Sequence, residues 1–126
     1  MKIPSPKRRR LTIALFRAPV LVGGDFIVVK VLPSPEGKSL LISVPKKCGK
    51  AVRRNRIRRI IREWFRLRWN QVPENISILV QTLPATTQLS KNKLSPSIRA
   101  ELEKFFPEII KYAETTHLSD KSSNLP

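Results

Sequence analysis

Residues 43–66 read SVPKKCGKAVRRNRIRRIIREWFR, and this stretch decides how the rest of the chain is interpreted. Over residues 49–69 the apolar side chains recur at the spacing of an α-helix, at about 100° per residue. They form a single stripe that consists of Ile57, Ile60, Ile61, Trp64 and Phe65. Seven arginines, Asn55 and Glu63 occupy the remaining surface between residues 53 and 66. We therefore predict a helix that packs on one face and is cationic on the other.

The excess charge of the chain is concentrated in this helix. The 126 residues contain 25 Lys and Arg against 9 Asp and Glu, which gives a formal net charge of +16. Residues 46–68 hold 11 basic and 1 acidic side chains, residues 1–45 hold 8 and 2, and residues 69–126 hold 6 of each. Arginines at this density repel one another unless an anion approaches. Because Arg grips phosphate in a bidentate way and stacks on bases, the pattern predicts nucleic-acid binding.

The residues alone leave the type of nucleic acid open. DNA is the second choice, because no helix-turn-helix, zipper or zinc spacing accompanies the basic helix. A solvated cationic face without a specific ligand is the simplest alternative. Trp64 lies within the apolar stripe and is predicted to be core, whereas Trp69 fits either core or base stacking.

Around this helix the chain alternates strand and helix patterns. Residues 26–32 and 39–45 are rich in β-branched and aromatic side chains, and turn residues join them, so we predict two strands linked by a tight connection. Residues 76–82 predict a third strand. A last amphipathic helix is expected to start at Ser95-Pro96 and to be kinked or split at Pro107.

These patterns predict one folded domain with two flexible ends. Residues 1–10 are interpreted as a basic flexible arm, residues 11–116 as a single α+β RNA-binding domain, and residues 117–126 as a flexible tail. A short helix near Leu15 is expected to stop at Pro19. The apolar runs are interrupted by Arg17 and Asp25, well short of a membrane span, so no membrane partner is expected.

The sequence contains no recognisable pattern of a protein active site or of a metal-binding site. The single histidine, His117, lies in the predicted tail, and no paired carboxylates or nucleophile with a base occur at a recognisable spacing. We therefore predict no catalytic residue and no metal ligand. The single cysteine, Cys48, suits a buried junction position and a reducing compartment, which predicts the cytoplasm.

The stretch Ser43 to Arg66 resembles the signature of the bacterial ribonuclease P protein subunit. The matching features are Lys46-Lys47, Gly49, Ala51-Val52, the Arg54-Asn55-Arg56 core of the RNR motif, Arg58-Arg59, Arg62 and Phe65. The order of predicted strands and helices is also similar to that family. The resemblance implies a compact mixed-sheet α+β sandwich, with the RNR helix in a left-handed βαβ crossover instead of the usual right-handed one.

The resemblance also implies a role. Proteins of this family bind the catalytic RNA of ribonuclease P and precursor tRNA, and assist removal of the tRNA 5′ leader, while the RNA performs the hydrolysis. Magnesium then belongs to the RNA–protein holoenzyme, the protein alone binds no cofactor, and no obligatory protein partner is expected. The implied RNA-binding residues are Lys46, Lys47, Lys50, Arg53, Arg54, Asn55, Arg56, Arg58, Arg59 and Arg62. The candidate leader contacts are Phe16, Phe26 and Lys30.

Two rival functions stay open at this point. A ribosomal or ribosome-assembly protein could use the same basic helix on ribosomal RNA. An autonomous nuclease is the other, although the chain offers it no recognisable active site.

Overall fold

The structure is a computed structural model that describes residues 3–123, with side chains described for residues 3–115. The helices and strands are α1 (Arg9–Arg17), β1 (Val22–Gly23), β2 (Ile27–Pro33), β3 (Ser39–Ser43), α2 (Ala51–Arg68), β4 (Ile76–Thr82) and α3 (Lys91–Ser123). Short 3-10 turns occur at Lys46–Cys48, Trp69–Gln71 and Pro84–Gln88. Within residues 3–123, every helix is too short or too polar to cross a membrane.

The four strands form one mixed sheet in the order β1-β2-β4-β3. Strand β2 pairs with β4 in antiparallel fashion, from Ile27 opposite Thr82 to Pro33 opposite Ile76. Strand β3 pairs with β4 in parallel, so β3, α2 and β4 form a βαβ unit. This architecture confirms the predicted α+β class with a mixed sheet. The left-handed sense of the crossover stays a prediction from the resemblance.

The two strands predicted from residues 26–32 and 39–45 exist, but they are not paired with each other. Strand β4 lies between them instead. Its side chains are buried on both faces of the sheet, with Ile78 and Val80 on one face and Leu79 on the other. A strand that is apolar on both faces is best buried at the centre of a sheet, and this outweighs the short connection between β2 and β3.

The helices cover the sheet on both faces. Helices α2 and α3 pack on the face that carries Ile27, Ile78 and Val80, and together they form the main core. Helix α1 contacts β2 and β4. Its Leu15 and the strand residue Leu79 are both fully buried, yet they lie outside the main core cluster, so α1 covers the opposite face. The domain therefore has three layers: α1, the sheet, and the α2–α3 pair.

The start of the last helix differs from the prediction. Helix α3 begins at Lys91, where the carbonyl of Ser90 accepts hydrogen bonds from the N–H groups of residues 93 and 94 at 3.0 and 3.1 Å. Leu94 is fully buried, so the additional turn contributes to the core and outweighs the Ser95-Pro96 start signal. Pro96 lies inside the helix, and Pro107 does not split it.

The chain ends are placed as follows. Before α1, Ile3 packs against the main core and the carbonyl of Pro4 accepts a hydrogen bond from the N–H of Leu40 at 2.9 Å. Arg9 and Arg10 belong to α1, and α3 runs to Ser123. The flexibility predicted for residues 1–10 and 117–126 stays a prediction, and residues 1–2 and 124–126 lie outside the described residues.

Candidate nucleic-acid interface

Helix α2 has the two faces that the periodicity predicts. Ile57, Ile61 and Phe65 are fully buried, and Trp64 is only 3% exposed. Trp64 is therefore core, as predicted. Trp69, which fitted two interpretations, is buried as well, and the ammonium of Lys38 lies 5.0 Å from its ring centroid. Neither tryptophan presents an exposed ring to a base.

A tight junction that includes Cys48 and Gly49 leads from β3 into α2. Cys48 is fully buried, and its Sγ lies 3.5 Å from the carbonyl of Leu83. Gly49 follows with a φ of +127°, a conformation that glycine adopts at little cost. A Cβ at Gly49 would also lie 2.8 Å from Cδ of Arg53. The junction confirms the structural role predicted for Cys48, and it leaves Lys46 and Lys47 exposed beside the start of the helix.

One flank of α2 borders a groove of about 860 Å³. Its walls are the edge strand β3, residues Ile3 and Ser5 before α1, and the side chains of Arg58, Arg62 and Arg66. Arg58 donates from Nη1 to Oδ1 of Asn55 at 3.0 Å, so Asn55 helps to orient it. The predicted site residues Asn55, Arg58 and Arg62 thus share this side of the helix.

Arg66 differs from its neighbours because its charge is already compensated. It donates to both carboxylate oxygens of Glu63, and its Nη2 lies 2.9 Å from Oε2. These hydrogen bonds lower the pKa of Glu63 and raise the pKa of Arg66, so both groups stay charged. By contrast, the guanidinium of Arg62 has no hydrogen bond or ion pair with any described residue.

The other flank of α2 carries Arg56 and Arg59. Both border grooves that lie between α2 and α3. Within the described part of the chain, neither guanidinium has a hydrogen-bond or ion-pair partner. Uncompensated arginines on both flanks make α2 a ridge that can contact anionic groups on two sides.

Arg53 and Arg54 are engaged within the protein. Nη2 of Arg53 donates to the carbonyls of Thr86 and Leu89, at 2.5 and 2.8 Å, and so ties the start of α2 to the turn before α3. Nε of Arg54 donates to the carbonyl of Gly49 at 3.1 Å. These contacts favour a positioning role for Arg53. Sequence reasoning grouped it with the RNA-binding arginines because its partners lie 33 and 36 residues away.

The three candidate leader contacts lie by the α1 face of the sheet or at its margin. The ammonium of Lys30 donates to the carbonyl of Phe16 at 2.6 Å, so these two residues are brought together. Phe16 is 41% exposed at the end of α1. Phe26 is half-buried at the start of β2, where its N–H donates to the carboxylate of Glu101. The leader contacts themselves stay a prediction.

Glu101 is a residue that sequence reasoning missed. Its carboxylate accepts backbone N–H groups from Asp25, Phe26 and Ile27, at 2.8, 3.1 and 3.0 Å, and so anchors the start of β2 to α3. The same carboxylate lies 2.5 Å from where a Cβ on Gly24 would be, so the close approach requires glycine there. No local sequence pattern predicts this contact, because its partners are about 75 residues apart.

Comparison with known proteins shows which family this chain matches. The family model described as Ribonuclease P matches residues 7–106, which include the whole basic helix and the sheet. This chain belongs to the ribonuclease P protein family. The match confirms the resemblance read from residues 43–66.

Individual relatives agree with this assignment. A ribonuclease P protein component from Chlamydia abortus is 32% identical over 92% of this chain and 78% of its own length. One from Desulfotalea psychrophila is 37% identical over 62% of this chain and 65% of its own length, so the matched part spans just under two thirds of that relative. The ribonuclease P protein structure from Staphylococcus aureus superposes with a TM-score of 0.65 at 26% identity, over 81% of this chain and 94% of that one.

Proposed function

We propose that this chain is the protein component of a bacterial ribonuclease P and binds the RNA subunit of that enzyme through α2. The observation that carries the proposal is the ridge itself. Arg56, Arg59 and Arg62 project from a helix whose opposite face is fully buried, and none of them has a partner among residues 3–115. Arginines held on a packed helix meet phosphates without a large loss of conformational freedom. Family membership supports ribonuclease P RNA as the ligand.

The chemistry that follows is cleavage of precursor tRNA, which we assign to the RNA subunit. The carboxylates that a protein nuclease would need are mostly engaged in structural contacts. Glu101 anchors β2, while Glu63 and Glu103 form ion pairs with Arg66 and Arg68. The protein then contributes binding energy and charge neutralisation. A cytoplasmic location, where Cys48 stays reduced, suits this role.

Magnesium ions belong to the RNA–protein assembly in this account. Mg²⁺ prefers carboxylate, water and phosphate oxygens in octahedral geometry. The described residues contain no group of three or more His, Cys, Asp or Glu side chains that could hold such an ion. In our proposal the protein affects magnesium binding only through its charge. Its arginines reduce phosphate repulsion, which lowers the magnesium concentration that the assembly requires.

The precursor tRNA leader is assigned to the side of the sheet that α1 covers. Phe16 at the end of α1 is exposed enough to stack on a base, and Lys30 holds the backbone of α1 at this point. This side lies across the sheet from α2. One protein can thus contact the RNA subunit and the leader through opposite layers.

The RNA that the chain binds in cells tests the proposal. A tagged chain is crosslinked in bacterial cells, and the recovered RNA is sequenced. A variant with Arg56→Ala and Arg62→Ala is compared with a matched control, Lys104→Ala and Lys111→Ala, which removes the same charge from exposed positions on α3. We expect ribonuclease P RNA with the wild type and the control, and a strong loss with the α2 variant. Predominance of ribosomal RNA, with ribonuclease P RNA absent, would overturn the proposal in favour of the ribosomal alternative.

A further inference from the structure

The first turns of α3 lie alongside α2, and the seam between the two helices is an open surface. At one end, Arg53 donates to carbonyls of the turn before α3, and at the other Nη2 of Arg68 lies 2.8 Å from Oε1 of Glu103. Between these two contacts, two grooves lie one after the other along the seam. The first, of about 350 Å³, is bordered by Lys50, Arg56 and Lys91 among others. The second, of about 250 Å³, is bordered by Arg59, Ser95 and Arg99 among others.

This seam is cationic although residues 69–126 are neutral in sum. The basic residues at the start of α3 precede its first acidic residue, Glu101. Two of them, Lys91 and Arg99, border the grooves beside α2. Glu101 binds the backbone of β2, and Glu103 is paired with Arg68. Five basic side chains along the seam have no hydrogen bond or ion pair within the described part of the chain: Lys50, Arg56, Arg59, Lys91 and Arg99.

One residue that lines the second groove carries a buried hydrogen-bond donor without an acceptor. Trp64 is 97% buried and borders this groove, and its Nε1 has no partner among the described residues. An indole N–H can only donate, so the group that satisfies it must be an acceptor. The guanidinium of Arg68 stacks 4.1 Å from the same ring. Glu63 also borders the groove, but Arg66 holds its carboxylate. The arginines that line this groove, Arg59, Arg68 and Arg99, suit an anion with several acceptor oxygens.

We propose that the α2–α3 seam is a second phosphate-binding track, in which Lys91 and Arg99 of α3 contact the backbone of the RNA that binds α2. The proposal rests on the proposed function and extends that site from one helix to two. Lys91 and Arg99 are eight residues apart, which is about 12 Å along a helix, so they contact different phosphates. The contacts are to the backbone and are independent of base sequence.

The salt dependence of RNA binding tests the track directly. The variant Lys91→Ala, Arg99→Ala removes the two α3 contacts, and Lys104→Ala, Lys111→Ala is the matched control. Lys104 lies about 140° around the helix from Arg99, so it faces away from the seam. All four positions are exposed and alanine favours helix, so the thermal melt should not change. The dissociation constant is measured from low to moderate salt on ribonuclease P RNA and on a ribosomal RNA fragment of equal length.

Each phosphate contact contributes about 0.7 to 0.9 to the slope of log affinity against log salt. We expect the seam variant to lower the slope by about 1.4 to 1.8 and the control to leave it unchanged. Equal slopes for the seam variant and the wild type would overturn the track, as would an equal fall in the control. Preference of the wild type for neither RNA would instead overturn the proposed function, and the slopes would still decide the track.

Discussion

The anchor formed by Glu101 supports a prediction of fold stability that can be worked out from its contacts. In Glu101→Ala, the N–H groups of Asp25, Phe26 and Ile27 lose their common acceptor. The residues at 26 and 27 are at least half-buried, so water replaces the carboxylate only in part. A hydrogen bond to a charged group contributes about 1.5 to 3 kcal/mol. The bond from exposed Asp25 is replaced by water, and the other two at the lower value give a loss of about 3 kcal/mol, or about 10 °C in Tm for a chain of this size.

The contact of Gly24 with the same carboxylate gives an internal control. A Cβ at position 24 would lie 2.5 Å from two atoms of that carboxylate, so Gly24→Ala must displace it. The substitution should cost about 1 to 3 kcal/mol in the wild type, and under about 0.5 kcal/mol once Glu101 is alanine. Urea unfolding of the two single variants and the double variant measures this coupling. Additive losses, or a Glu101→Ala variant as stable as the wild type, would refute the anchor.

Three further predictions concern α2. Ile61→Ala should destabilise the domain by about 2 to 5 kcal/mol in urea unfolding, because its side chain is fully buried, and an unchanged midpoint would contradict that burial. Arg56→Ala should lower the slope of log affinity for ribonuclease P RNA against log salt by somewhat under one unit, with Tm unchanged, and an unaltered slope would show that Arg56 meets no phosphate. Arg53→Ala should behave in the opposite way: it should lower Tm, because the carbonyls of Thr86 and Leu89 lose their donor, and leave the salt slope as in the wild type.

Local periodicity was enough to predict the basic helix. The stripe from Ile57 to Phe65 depends only on helical spacing, and the structure buries all of it except Ile60, which is partly buried. The assignment of Trp64 to the core followed from the same spacing. The family resemblance also rests on one continuous run of residues, so it did not require knowledge of the fold.

Contacts between distant segments were not predictable in the same way. The order of the strands depends on β4 being apolar on both faces, which becomes decisive only once three layers form. The early start of α3 depends on the burial of Leu94, and the role of Arg53 depends on carbonyls that reach it from the turn before α3. Likewise, residues 69–126 have no net charge, so the charge count alone does not predict that Lys91 and Arg99 lie beside α2.

Cleavage of precursor tRNA tests the central claim most directly. The RNA subunit of ribonuclease P from the same organism is assayed at low magnesium with and without this protein, and correctly placed 5′ cleavage is measured. We predict a protein-dependent rise in cleavage that is lost when Arg56 and Arg62 are both replaced by alanine, and retained when Lys104 and Lys111 are replaced instead. Cleavage that stays the same with and without the wild-type protein, while the protein is bound to the RNA, would contradict the account.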